Sequence, residues 1–326
     1  MGAPAWSEVI DGYEALCGRG ATASAERDVV TVTGPDSGRY LQGQLSQEVV
    51  TLPVGSSTWS LLLQPTGKVD AWLRVHRVGD ETFALDVDAD WGETLVARLT
   101  RFLLRTKATV GAPERRLMLA RRHGAGFVEL GRLPEGPAAA PGVLTGIVVG
   151  PGVAGIDHVL ARGVVASDLA AAGESSLVPV EAFERYRIAH AVPALGAELT
   201  TDTIPAEGGQ WLIDASVSFT KGCYTGQELV ARIDSRGNTV PRPVRLLEFA
   251  DGAFVPGSGP AQGAGVAHDG KDVGRCTSVA PALGEGHPAL ALATVARSVP
   301  LGAGVEVDAG SGGRVDAVVL DPPTPR

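Results

Sequence analysis

Lys221-Gly222-Cys223-Tyr224-Thr225-Gly226-Gln227-Glu228 places a single thiol just ahead of a helix start. Thr225 and Glu228 have the Thr-x-x-Glu spacing of a capping box, in which first-turn side chains satisfy backbone N–H groups that have no helical acceptor. The run from Gln227 to Ile233 reads as the helix. Thr225 is therefore the expected N-cap, and Cys223 lies two residues upstream on a loop. Open N–H groups and the positive end of the helix dipole favour thiolate over thiol. Lys221 adds positive charge, and Glu228 on the same turn works against it. A plainer reading stays open: free cysteine is among the most buried residue types, and Cys223 would then be a small hydrophobe beside an ordinary capped helix.

Lys-Gly-Cys-Tyr-x-Gly-Gln-Glu resembles the signature of the folate-binding YgfZ proteins, relatives of the glycine-cleavage T-protein that act in iron–sulfur cluster assembly or repair. Other segments agree in order and spacing. Tyr40-Leu41-Gln42-Gly43-Gln44 is similar to the family's early helix, and Gln64-Pro65-Thr66-Gly67-Lys68 to its hairpin turn. Arg185-Tyr186-Arg187-Ile188 and Thr203-Ile204-Pro205-Ala206-Glu207 are similar to the run-up to the signature. The resemblance covers most of residues 28–300 and is weakest at 112–178.

It implies an α+β, T-protein-like fold. Two interlocked, mostly antiparallel subdomains would occupy residues 1–240, with a C-terminal antiparallel β-barrel over 241–326. It implies tetrahydrofolate as cofactor, with Tyr40, Gln42, Gln44, Glu207, Tyr224, Gln227 and Arg232 as folate-binding residues. Cys223 and Lys221 would be the reacting pair. Gly222, Thr225, Gly226 and Glu228 would shape the motif. The expected partners are reduced folate and iron–sulfur client or assembly proteins. The folate cavity is expected along the 203–219 loop, Tyr40 to Gln44 and the signature helix.

Composition sets independent bounds. The chain has 326 residues, 44% of them hydrophobic, enough for two or three domains with real cores. With 43 glycines and 22 prolines, it suits short strands and hairpins better than a helical bundle. The net charge of −9 argues against DNA as a partner. Residues 98–122 are a local exception: eight basic residues stand against Glu114 alone. They read either as a solvated face or as an anion site for a folate tail or a partner. Cys17, Cys223 and Cys276 are widely spaced, with no Cys-x-x-Cys pair and no His-x-x-x-His, so no metal site is expected. Scattered thiols, no apolar run near the ~20 residues that span a bilayer and no leader-like start point to the cytoplasm, away from membranes.

Residues 29–33 read as a strand and Asp36 as the cap of a helix to Leu45. Ser57–Gln64 and Val69–Arg77 read as a hairpin, with a third strand at Thr82–Val87. Asp90 and Glu93 resemble a capping box for a helix running to about Leu104. Short strands are expected near 116–121, 126–131, 144–149 and 156–161, and a helix at Val180–His190. Pro193–Phe219 reads as a long irregular run. Six short strands then follow between Val244 and Leu320, as in a closed antiparallel barrel. No Gly-x-Gly-x-x-Gly follows a strand, so a dinucleotide fold is unsupported.

Two departures from the family pattern bear on function. The T-protein's aspartate pair falls on Ala71 and Trp72, while Asp70 stands one residue early. On a strand that shift puts the side chain on the opposite face, so Asp70 is expected to face solvent, which argues against glycine cleavage. Ala189 stands where the family's pterin-binding glutamate is expected. Its loss removes a charge-assisted hydrogen bond, for which His190 or Glu207 are candidate substitutes. Two alternatives therefore remain beside the accessory-protein reading: a folate-dependent aminomethyl or one-carbon transferase, and an interaction module that has lost folate.

Overall fold

The computed structural model describes residues 5–123, 142–164, 177–237, 239–250, 259–310 and 313–321. The strand expected at 126–131 lies outside the described residues. One long strand organises the first two thirds of the chain. Strand β1 (Ala21–Thr33) pairs through residues 27–33 with β4 (Thr82–Asp88) and through residues 21–29 with β6 (Glu114–His123). Outward from β4 lie β3 (Val69–Gly79) and β2 (Ser57–Leu63). Outward from β6 lie β8 (Ala154–Val159) and β7 (Leu144–Ile147), and the short β5 (Thr109–Val110) pairs with β1. All these pairings are antiparallel, and the strands form one continuous sheet.

Strands β2 to β4 are buried on both faces. Leu62, Leu73, Val75, Leu85 and Val87 share one face and join an apolar core with Leu95 and Leu99 of α3 (Gly92–Thr100) and with Leu41 of α2 (Ser37–Gln44). The capping expected for these two helices is replaced. Asp36 accepts from the backbone N–H of Lys107 at 2.9 Å rather than capping its own helix. Asp90 sits at φ 71, and the first N–H of α3, at Gly92, is taken by Asp28 of β1 at 3.0 Å. A distant carboxylate held on the sheet does the work assigned to the local pair. Helix α1 (Trp6–Cys17), for which the sequence reading made no provision, packs Val9 and Leu16 against Ala182 and Tyr186 of α4 (Val180–Ala189). The Pro193–Phe219 run is not irregular throughout: it holds a 3₁₀ turn at Pro205–Gly208 and helix α5 (Gln210–Ser216).

The C-terminal strands close into a barrel of order β10-β11-β12-β9-β14-β13. They are β9 (Val244–Phe249), β10 (Gly265–His268), β11 (Lys271–Ala280), β12 (Leu290–Val295), β13 (Gly304–Asp308) and β14 (Arg314–Leu320). Alanines and valines fill its inside together with Leu247 and Phe249. Ala291, Ala293 and Val295 of β12 face in, while Leu290 and Leu292 face out onto Ile188 of α4. Helix α4 is also tied to the barrel by hydrogen bonds. Arg185 donates to the carbonyls of Pro281 and Pro288, both at 2.8 Å. Arg187 donates to Ser278 Oγ at 2.7 Å and to the buried Glu198 at 3.0 Å, and Ser278 in turn donates to Glu198 at 2.6 Å.

Candidate functional site

A cavity of about 210 Å³ opens between the sheet, α4 and the chain at Val192–Ala194. One wall is aromatic. Trp59 of β2 and Trp72 of β3 stack with centroids 4.3 Å apart and planes inclined at 23°. Each indole N–H is satisfied: Trp59 donates to Ile147 O at 3.1 Å, and Trp72 to Ser216 Oγ at 2.9 Å. Met118, Phe183 and Tyr186 line other parts of the cavity. Its polar lining includes Arg27, Asp88, Arg122 and Asp157, already cross-linked to one another and to the sheet. Arg27 bonds Asp86 and Asp88, and Asp157 bridges Arg74 at 3.2 Å and Arg122 at 2.8 Å.

Asp86 lies behind that lining, fully buried. It accepts from Arg27 at 2.9 Å and Arg74 at 3.0 Å and lies 2.5 Å from His76 Nε2. Burial pushes its carboxyl up, but the two guanidiniums and His76 outweigh that and hold it well below the usual carboxylate range. Burial pushes His76 down, with Asp86 opposing. The result is a rigid, paired floor under an apolar, aromatic chamber, the kind of lining that takes a flat ring and orients it with few polar groups.

The second locus is the signature. Helix α6 (Gln227–Asp234) begins where its sequence suggests, but it is capped one residue later than expected. Its N-cap is Gly226, in left-handed conformation at φ 81, and the Thr225/Glu228 capping box does not form. Tertiary contacts decide this. The Thr225 N–H donates to Gly43 O at 3.1 Å, and Gln227 Oε1 accepts from the Tyr224 N–H at 3.2 Å. A Cβ on Gly226 would stand 2.5 Å from Gln64 O and 2.8 Å from Leu63 Cβ, so the hairpin turn and the helix start meet too closely for any side chain. Lys221 is engaged by backbone carbonyls. Its ammonium donates to the carbonyls of Gln42 at 2.7 Å, Leu45 at 2.6 Å and Gln47 at 2.9 Å, fixing the loop to the end of α2. Burial pushes Lys221 down to about 8, with Glu48 opposing. Cys223 itself is exposed on this pinned loop, which leaves the plainer reading of a buried hydrophobe behind.

No protein-family model matches the chain. The tRNA-modifying protein YgfZ of Klebsiella pneumoniae is 28% identical over 219 residues, covering 64% of this chain and 65% of that protein. A mitochondrial iron-sulfur cluster assembly factor IBA57 homolog of Neurospora crassa is 24% identical over 278 residues, covering 74% and 57%. The crystal structure of the glycine cleavage system aminomethyltransferase T from Bartonella henselae superposes with a TM-score of 0.72 at 18% identity, covering 97% of this chain and 89% of that one. The chain is similar in sequence to YgfZ and IBA57 proteins and shares the T-protein fold. It spans less than two thirds of the length of the curated relatives it matches.

In this YgfZ-like chain, the residues expected to bind folate divide into two groups, and none of them lines the tryptophan-walled cavity. Tyr40, Gln42 and Gln44 hold structure. The buried Tyr40 hydroxyl donates to Leu99 O. Gln42 donates to Glu48 at 2.7 Å and accepts from the Val49 N–H at 2.9 Å, and Gln44 accepts from Arg98 at 3.3 Å. Glu207 caps its 3₁₀ turn by accepting from the Ile204 N–H at 2.9 Å, and burial raises its carboxyl pKa. Tyr224 is half-buried under the Lys221 ammonium, 5.2 Å from its ring centroid, while Gly222, Glu228 and Arg232 are exposed. Asp70 does not face solvent. It lies at the β2–β3 register shift and pairs with Arg98 at 2.9 Å. Ala189 packs into the apolar cluster between α4 and the barrel.

Sequence reasoning missed the cavity wall. The signal was present: within the predicted hairpin, Trp59 pairs with Arg74 and Leu61 with Trp72, which sets the two indoles diagonally on one face. Among the described residues, no group of His, Cys, Asp and Glu could hold a metal ion, and no helix is long and apolar enough to cross a membrane.

Proposed function

We propose that this chain is a tetrahydrofolate-binding accessory protein that supports assembly or repair of iron–sulfur enzymes in the cytoplasm. The observation that carries the reading is the cavity: a stacked Trp59–Trp72 wall over a fixed charged floor, within a T-protein fold. Named relatives supply the direction, one a tRNA-modifying protein and one an iron-sulfur cluster assembly factor. A reduced pterin is flat and amphipathic, and its ring would lie against the indoles. Cys223 presents a solvent-reached thiol on a loop fixed by Lys221 and Thr225, and its thiolate form is a ligand for iron in a client cluster.

Aminomethyl transfer is the weaker reading. Where the T-protein's aspartates fall, β3 offers Ala71 and Trp72, and the nearby Asp70 is engaged by Arg98. Calorimetric titration with tetrahydrofolate tests the ligand. Quenching of tryptophan fluorescence should accompany binding, and Trp72→Ala should abolish both signals. Absence of heat and of quenching in the wild-type protein would remove folate from the reading. Cys223→Ser, assayed for iron–sulfur enzyme activity in a strain lacking the protein, tests the thiol. Full rescue by that variant would remove Cys223.

A further inference from the structure

The structure separates the basic run at 98–122 into two kinds of residue. On β6, Arg115 pairs with Glu26, Asp28 and Asp90, Arg116 with Glu114, and Arg122 with Asp157. In the tip that follows α3, Arg101, Arg105 and Lys107 are exposed, and no side-chain ion pair is seen for them among the described residues. Between them, Leu104 is 85% exposed and Phe102 is 39% exposed, with Arg98 over its ring at 4.3 Å and Arg101 at 5.9 Å.

The tip is built rather than loose. Lys107 N–H donates to Asp36 Oδ2 at 2.9 Å, and Asp36 N–H donates to Lys107 O at 3.2 Å. Leu103 packs into the core, while Arg105 is held at φ 58, a left-handed conformation that side-chain-bearing residues rarely adopt. Strain of this kind persists where the surrounding structure over-determines it, and it concentrates at binding sites.

The tip is continuous with the Cys223 loop. Arg98 reaches Gln44 and the Leu63 carbonyl, the same chain ends that hold Thr225 and Gly226. Across α2 the path runs from Thr225 to Gly43, where a Cβ would meet nothing within 4 Å, then one turn back to Arg39, which pairs with Asp36 beside Lys107.

We infer that this surface, from Cys223 across Gly43 and Arg39 to the Leu104 tip, docks an acidic protein partner, with Leu104 entering an apolar pocket of that partner. The inference rests on the accessory-protein reading above and names the chemistry of its client. Charge complementarity supports it: the tip is cationic on a chain of net charge −9. Nucleic acid fits less well, because the Phe102 ring already carries two guanidiniums and an exposed leucine offers no face for base stacking.

The test compares wild type, Leu104→Asp and the triple variant R101E/R105E/K107E in a strain lacking the protein. Iron–sulfur enzyme activity is the readout, and a photo-crosslinking amino acid at position 104 identifies the class of partner. Both variants should lose support of the enzyme at least fivefold, while the melting temperature and tetrahydrofolate affinity of the purified proteins stay unchanged. The crosslinked adduct should resist ribonuclease, contain an acidic protein, and fall at least fivefold in yield with the triple variant or in 0.5 M salt. Full support by both variants, an adduct indifferent to charge and salt, or a ribonuclease-sensitive adduct would overturn the inference. If wild type itself restores no activity, the accessory-protein reading fails, and the charge and salt dependence of the adduct alone decides the surface.

Discussion

The Lys221 ammonium donates to the Leu45 carbonyl at 2.6 Å, tying the signature loop to a segment 176 residues earlier in the chain. The adjoining segment runs back to the cavity. Ser46 Oγ donates to Ser216 O at 2.6 Å, and Ser216 Oγ accepts from Trp72 at 2.9 Å. The thiol loop and the aromatic wall are thus linked through one stretch of chain, residues 45–47.

Replacing Lys221 by Met should leave three carbonyls without their donor and lower stability by about 2 kcal/mol, measured by urea unfolding at pH 7. A pH signature should accompany it. Burial lowers the folded-state pKa of Lys221 to about 8, below the ~10.4 of a free lysine. Between those values the unfolded chain binds more protons, so the contribution of Lys221 to stability rises with pH. The difference between wild type and Lys221→Met should therefore grow from about pH 8 to 10.4, and a difference flat across that window would contradict the assignment.

Asp86→Ala should be among the most destabilising single changes. It leaves Arg27 and Arg74 buried without their shared carboxylate, an effect of about 3–5 kcal/mol. Because the folded-state pKa is depressed, the Asp86 contribution is complete above the ordinary ~3.9 and is lost as pH falls toward the folded value. Acid unfolding followed by circular dichroism should begin at a higher pH in Asp86→Asn than in wild type.

Gly226→Ala and Gly43→Ala should move stability in opposite directions. At Gly226 a Cβ meets the Gln64 carbonyl at 2.5 Å and the backbone is left-handed, so unfolding should become easier by more than about 1 kcal/mol. At Gly43, inside a helix with open space around the added methyl, alanine should stabilise by about 0.5–1 kcal/mol. Thermal melting of the pair checks both signs at once.

Tyr186→Phe should leave the stability of the ligand-free protein unchanged or raise it by up to about 1 kcal/mol. Its hydroxyl is buried in the cavity lining without a hydrogen-bond partner among the described residues, so the substitution removes an unsatisfied polar atom and keeps the ring. A melting temperature several degrees lower would show that the hydroxyl has a structural role.

The sequence alone determined many features set by local pattern, though not helices α1 and α5. Alternating apolar residues and turn glycines placed the β2–β4 strands and all six barrel strands close to their observed bounds. The eight-residue signature placed Cys223 on a loop ahead of a helix, because its glycines and the apolar spacing that follows are local facts. Only the tertiary structure decided which donors meet which acceptors. Thr225 had the spacing of a cap, yet its N–H went to Gly43 O, and the hairpin turn pressing against Gly226 leaves that left-handed glycine as the N-cap. Lys221 had the position of a thiol activator, yet its ammonium went to three carbonyls of a distant turn. The cavity was hidden for the same reason. Its walls come from β1, β2, β3, β4, β6, β8 and α4, and no local window contains the geometry that brings Trp59, Trp72, Arg122 and Tyr186 together. Capping and alternation act over a few residues and can be read along the chain, whereas hydrogen-bond partners and cavity walls are chosen by contacts between segments far apart in sequence.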